Sequence, residues 1–175
     1  EAVRRVVLST TLTTNAIVQK KIPDVGIIVS SGPGIDPRCF QTGDNFFTVS
    51  GSIDHRGREV EPVDPGEIGR GGRELVASGI RHVGGVGRFS VRNPAHELQI
   101  KARLGDAFEK VFLGHLISGH LNFPRRIATT YLNAAVYPVH KEFFEAVQQS
   151  LEARGLSMPI RILKADGGNM NFASS

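Results

Sequence analysis

The chain has 175 residues, 40% of them apolar and 22% charged, the composition of a globular domain with a core of its own and not of a disordered segment. Its formal net charge of +4 is spread over scattered lysines and arginines, which argues against nucleic acid as a partner. A single cysteine, Cys39, excludes an intrachain disulfide framework and a cysteine-based zinc site and suits a reducing cytoplasm; no apolar run approaches the roughly 20 residues of a membrane span, and no secretory signal pattern is present.

The sequence opens on Glu1-Ala2-Val3-Arg4-Arg5 without a methionine and trails off after a glycine pair, so residues 1–175 are read as one α/β fragment of a larger protein. Val6-Val7-Leu8 reads as a buried first strand. It runs into Ser9, Thr10, Thr11, Leu12, Thr13, Thr14 and Asn15, and a short helix is expected over 15–21, ended by Pro23. Residues 25–31 form a second apolar strand stopped by Gly32-Pro33-Gly34, and 35–43 read as loop. Residues 46–50 and 57–60 flank Asp54-His55-Arg56-Gly57, predicting a β-hairpin inserted at 44–61.

From Pro62 to the end the sequence reads as the main βαβ-repeat portion, 62–175. A helix over 66–78 is followed by a glycine-rich strand over 80–89. The next helix has Asn93 as N-cap, Pro94 at its first position and Glu97 in its first turn, and runs to about Phe108. A strand is predicted over 110–117, then the longest helix, 124–154, in which Pro138 should produce a kink or a split. Residues 159–163 are the final strand and 164–170 the turn beyond it. The succession predicts an α/β fold, a mainly parallel sheet flanked by helices with an inserted hairpin.

Ser9, Thr10, Thr11, Thr14 and Asn15 stand at the carboxyl end of the first strand, where open α/β sheets bind ligands. Such residues also cap helices and shape turns, so both roles stay open. Asp166-Gly167-Gly168 follows a strand directly; the glycines allow close approach of an anion and the aspartate could hold a metal or an amide, or the tripeptide is a plain tight turn. Gly84-Gly85-Val86-Gly87 lies inside a strand and not in a turn opening a helix, so close packing is favoured over a dinucleotide site. His96, His115 and His120 show no HExxH spacing, and Ser118-Gly119-His120 is the best placed of the histidine segments. Arg126, Thr129, Thr130 and Asn133, with Arg125, make a polar face on the long helix that needs partners in the protein or in a substrate. Cys39 has no evident base near it.

Four blocks, Ser9–Ala16 (STTLTTNA), Phe89–Glu97 (FSVRNPAHE), Arg126–Asn133 with Pro138 (RIATTYLNAAVYP) and Ile162–Met170 (ILKADGGNM), resemble, in order, the hydantoinase/oxoprolinase family, which includes carboxylase relatives. The resemblance implies part of an actin/hexokinase/Hsp70-like (ribonuclease-H-like) ATPase fold. It also implies an ATP-dependent cyclic-amide hydrolase in which this fragment supplies substrate-side residues of an interlobe cleft. ATP and Mg are expected in the full-length protein, and neither in the fragment, because the family's acidic glycine-rich phosphate loop and its second, SGPAG-like region are not in this sequence. The substrate or phosphate contacts that the resemblance favours are Ser9, Thr10, Thr11, Thr14, Asn15, Asp166, Gly167 and Gly168; Arg126, Thr129, Thr130, Asn133 and His120 are secondary candidates from their place in the sequence. No metal ligand and no catalytic residue is assigned within the fragment.

The expected partners are a small cyclic amide or related carbonyl compound and either a second copy of the chain or a hydantoinase B-like subunit, with neither nucleic acid nor membrane. The segment Ser30-Ser31-Gly32-Pro33-Gly34-Ile35-Asp36 departs from the arginine-containing stretch usual there, which points to a divergent substrate. The alternatives are a small-metabolite kinase or a non-catalytic ligand sensor on the same fold, or a structural interaction domain.

Overall fold

In a computed structural model, residues 5–8, 11–19, 21–163 and 168–171 are described. The chain groups into two units, one of residues 23–135 and one of residues 1–22 with 136–175.

In the first unit, β2 (Gly26–Ser30) pairs in parallel with β3 (Phe46–Val49) and with β6 (His82–Gly87), and β6 pairs in parallel with β7 (Lys110–Leu113). The order is β3-β2-β6-β7. Every residue of β2 and β6 is buried, as expected of central parallel strands covered on both faces. Helices α2 (Pro65–Ala77) and α3 (Ala95–Leu104) are packed together. Ile28, Val49, Ile68, Leu75, Val83, Ile100, Leu104 and Phe108 belong to the core they share with the sheet. Asp64 caps α2 by accepting from the Gly66 amide at 2.7 Å, with Pro65 in the first turn.

Glycines set how closely these layers meet. A Cβ on Gly72 would stand 2.8 Å from Leu104 Cδ2, and one on Gly26 2.5 Å from Leu75 Cδ2. The glycine run of β6 has the packing role that its place inside a strand implied. A Cβ on Gly84 would collide with Ile27 Cδ1 at 2.6 Å and Thr130 Cγ2 at 2.7 Å.

Several boundaries differ from expectation. Residues 46–50 are no hairpin arm: Phe46–Val49 pairs in parallel with β2, with Val49 in the core. The antiparallel ribbon is shorter, β4 (Ser52–Ile53) against β5 (Glu59–Glu61), and starts only after Gly51, whose φ of +109° turns the chain out of the sheet. Asp54 Oδ1 holds its turn by accepting from the amides of Arg56 and Arg58 at 2.8 and 2.9 Å. The expected loop at 35–43 contains a 3₁₀ turn, Pro37–Phe40, capped by Asp36. The strand predicted over 110–117 ends at Leu113, and α4 (Gly114–Ile117) follows, because the His115 amide donates to a side chain instead of to the ladder.

In the second unit, β1 (Val6–Leu8) pairs in parallel with β8 (Ile160–Leu163), which pairs antiparallel with β9 (Asn169–Asn171). β1 lies at the end of this sheet's order and is not the buried strand expected, Val7 being 42% exposed. Helix α1 (Leu12–Val18) begins three residues earlier than the predicted 15–21, so Thr13, Thr14 and Asn15 are helical and not part of a turn. Leu12 and Ala16, four apart, share a face, and Thr13 Oγ1 bonds His140 Nε2. The long helix, α5 (Phe123–Glu152), is a single element through Pro138 and not two; its first part belongs to the first unit and the rest to the second.

Candidate functional site

The carboxyl ends of β2, β6 and β7 carry the densest set of buried polar groups among the described residues. Glu97, on the first turn of α3, has no exposed surface. One of its oxygens accepts from the Gly87 amide at 2.9 Å; the other accepts from the His115 amide at 2.9 Å and from His115 Nδ1 at 2.6 Å. A single carboxylate thus ties the end of β6 to the start of α4. Gly114 lies against it: a Cβ there would stand 3.0 Å from Glu97 Oε1 and 3.4 Å from Arg126 Cγ.

Arg126 is the complementary buried charge, also with no exposed surface. Its Nη2 donates to the Gly87 carbonyl and its Nη1 to the His120 carbonyl, both at 2.6 Å, while Nε is buried with no hydrogen-bond partner. Burial pulls its guanidinium below the ordinary arginine value, and the Glu97 carboxylate pulls it back up. Gly87 is therefore gripped at its N–H by an anion and at its C=O by a cation. This fixes the backbone at the point where the chain leaves the sheet as Arg88-Phe89. Phe89 has φ +57°, a left-handed conformation that costs a bulky residue about 1–2 kcal/mol.

A second network stands beside the first. His96 Nδ1 lies 2.9 Å from Ser30 Oγ and Nε2 3.1 Å from Glu59 Oε1, and Ser30 donates to the Gly51 carbonyl at 3.0 Å. Serine, histidine and carboxylate in series suggest a hydrolytic triad, but Ser30 is 1% exposed and its proton is engaged, so it is no accessible nucleophile. The set clamps the β4–β5 ribbon to β2 and α3.

Over these supports opens a cleft of about 310 Å³ bordered by Ser31, Pro33, Asp54, Val60, Arg88 and Phe89. The Arg88 guanidinium stacks 4.9 Å from the Phe89 ring centre and donates to the Pro33 carbonyl at 2.9 Å. The cleft is largely apolar, bordered by the Arg88 cation and by the Asp54 carboxylate that Arg58 pairs at 3.3 Å, and lies where α/β sheets hold ligands.

Of the residues singled out in the sequence, Ser9, Thr10, Asp166 and Gly167 lie outside the described residues, and Gly168 immediately precedes β9. Thr11, Thr14 and Asn15 are exposed on α1, with Asn15 Nδ2 3.4 Å from Thr11 Oγ1. Thr11 stands at the N-cap without a side-chain capping bond. The polar face of α5 turns mostly inward: Thr129, Thr130 and Asn133 bond carbonyls one turn back in their own helix. Arg126 alone reaches across it to other elements. His120 is exposed and enters the network through its carbonyl. Cys39 is exposed.

Sequence reading gave Glu97 only a role at the helix dipole. Its spacing three and seven residues before the core residues Ile100 and Leu104 puts a carboxylate on the buried face, and was the signal that could have found it.

The resemblance implies a magnesium nucleotide, and the described residues do not fit one. The glycines of β6 face Ile27, Thr130 and Ile100 side chains and leave no cradle for a phosphate, and no group of three or more metal-ligating side chains occurs among the described residues. No step through that group is derived for this stretch.

A protein family described as the hydantoinase/oxoprolinase N-terminal region matches residues 1–108. The caprolactamase subunit alpha of Pseudomonas jessenii is 30% identical over 125 residues, which are 69% of this chain and 18% of that protein. The crystal structure of the ATP-dependent caprolactamase of Pseudomonas jessenii superposes with a TM-score of 0.78 at 24% identity, over 92% of this chain and 26% of that one. A nucleotide-free acetone carboxylase structure gives 0.79 at 19% identity, over 95% and 28%. The mixed α/β fold with mainly parallel sheets is shared with both, consistent with the actin/hexokinase-like architecture. The chain spans under a fifth of the length of its curated relative. Among the described residues no helix is long and apolar enough to cross a membrane.

Proposed function

The chain belongs to the hydantoinase/oxoprolinase family through its N-terminal region, and on that premise we propose that it is a section of an ATP-dependent enzyme that hydrolyses a C–N bond of a cyclic amide. The family match, joined to 30% identity with a caprolactamase alpha subunit, carries this reading. The geometry supports a substrate-side role. The cleft beside Arg88 and Phe89 is largely apolar, its Asp54 carboxylate is paired with Arg58, and Arg88 is left as a cation suited to a small neutral ring with a polarisable carbonyl; Glu97 and Arg126 hold Gly87, the residue before Arg88.

Ser9, Thr10, Thr11, Thr14, Asn15 and Asp166 to Gly168 are the further residues proposed to contact substrate or phosphate. Thr11, Thr14 and Asn15 present exposed donors and acceptors, as that role requires. In this proposal ATP and Mg are held elsewhere in the full-length protein. The enzyme is cytoplasmic, acts in hydantoin or lactam utilisation, and assembles with a second, hydantoinase B-like subunit, in line with a relative named as an alpha subunit.

The test is product analysis. The full-length protein with ATP and 5-oxoproline, hydantoin or caprolactam should yield the ring-opened acid from at least one of them. A phosphorylated metabolite with the ring intact would replace this reading with a kinase, and binding without any product with a sensor.

A further inference from the structure

A second site lies on the outer face of α2 and α3, away from the sheet's carboxyl ends. A groove of about 420 Å³ there is floored by Gly69, Val76, Leu104 and Phe108 and flanked by Arg73 and Arg103. Both guanidinium groups turn toward one point. A Cβ on Gly69 would lie 3.4 Å from Arg103 Nη2 and 3.5 Å from Arg73 Nη1. Arg103 Nη2 and Arg73 Nη1 therefore stand within about 7 Å of each other, close enough for one anion to reach both. Arg103 is held in this pose by Nε donating to the Pro65 carbonyl at 3.3 Å. Neither guanidinium has an acidic partner within 4.0 Å among the described residues, and no carboxylate lines the groove.

The helix dipole favours Arg103, in the last turn of α3, whereas Arg73 stands before the last turn of α2. It does not account for both forks converging over a glycine, the one residue type that leaves the space between them open.

We propose that this groove binds an organic monocarboxylate, its carboxylate between Arg73 and Arg103 and its apolar body along Val76, Leu104 and Phe108. Arginine forks match the planar, two-oxygen geometry of a carboxylate. Phosphate is disfavoured, because the apolar strip of Val76, Leu104 and Phe108 offers its remaining oxygens no hydrogen-bond donor. The site is independent of the cyclic-amide reading and is assigned from this surface alone.

The test uses calorimetric titration of the full-length protein with sodium hexanoate, hexan-1-ol and inorganic phosphate. Hexanoate should bind, hexan-1-ol and phosphate should bind at least about tenfold more weakly, and the R73A/R103A double variant should lose hexanoate binding by about tenfold or more. Because both arginines are exposed, the double variant should keep the wild-type circular dichroism spectrum. The Gly69→Asp variant places a tethered carboxylate between the forks and should abolish hexanoate binding with both arginines present. Absence of hexanoate binding, undiminished binding in the double variant or in Gly69→Asp, or phosphate binding tighter than hexanoate would each overturn the assignment.

Discussion

Replacing Glu97 by glutamine removes one negative charge and converts one acceptor oxygen into a donor, with almost no change of volume. In the folded chain the carboxylate accepts three hydrogen bonds, at 2.9, 2.9 and 2.6 Å, in a position with no exposed surface. Glutamine can satisfy the Gly87 amide or the His115 pair but not both, and turns an N–H toward whichever is left. A buried donor left unpaired costs about 1–3 kcal/mol, and Arg126 loses the nearby charge that offsets its burial, so the expected loss is about 2–4 kcal/mol. With a urea m-value of about 1–3 kcal/mol per molar, the unfolding midpoint should fall by roughly 1 M or more. Circular dichroism is the suitable probe, as the chain has no tryptophan. Glu74→Gln, an exposed change on α2, is the control. A midpoint for Glu97→Gln equal to that of Glu74→Gln would refute the view that this carboxylate anchors the end of β6.

Gly84→Ala should destabilise the chain by about 1–3 kcal/mol in the same assay, since the new methyl meets Ile27 and Thr130 inside a filled core; a neutral result would mean that the strand has room for a ligand. Burial lowers the His140 imidazole from its ordinary value of 6.5, so the unfolded chain takes up the proton first as pH falls. Stability is then complete above about pH 6.5 and declines below it; thermal melts from pH 8 to 5 should show this slope in the wild type and a flatter one in His140→Gln. In the full-length protein, if the proposed cyclic-amide activity is present, Thr11→Val and Asn15→Ala should raise KM with little change in melting temperature, because both side chains are exposed; unchanged KM would make them purely structural.

The strand and helix order was legible because parallel strands buried on both faces read as apolar runs, and because Asn93-Pro94 announces the start of α3. The errors fall where long-range contacts decide. Phe46–Val49 has the composition of a hairpin arm, and only the neighbouring β2 makes it a parallel strand. Residues 114–117 have a strand's composition, but the Glu97 carboxylate draws the His115 amide off the ladder. At the candidate site Arg126 was visible as part of a polar helix face, whereas its grip on Gly87 joins residues 39 apart in sequence. Glu97 hid behind a conventional first-turn role, since a carboxylate there is explained by the helix dipole before burial is considered. The Arg88–Phe89 backbone conformation has no local signal, as nothing in the segment requires a positive φ.

The most direct measurement of the central claim is the coupling of two rates in the full-length protein: ATP hydrolysis and ring opening, followed together as the cyclic amide is varied. The account predicts that ATP hydrolysis rises with amide concentration, that the two products accumulate in constant ratio, and that neither forms at an appreciable rate when the other reactant is omitted. ATP hydrolysis indifferent to every cyclic amide, or ring opening that proceeds without ATP, would contradict it.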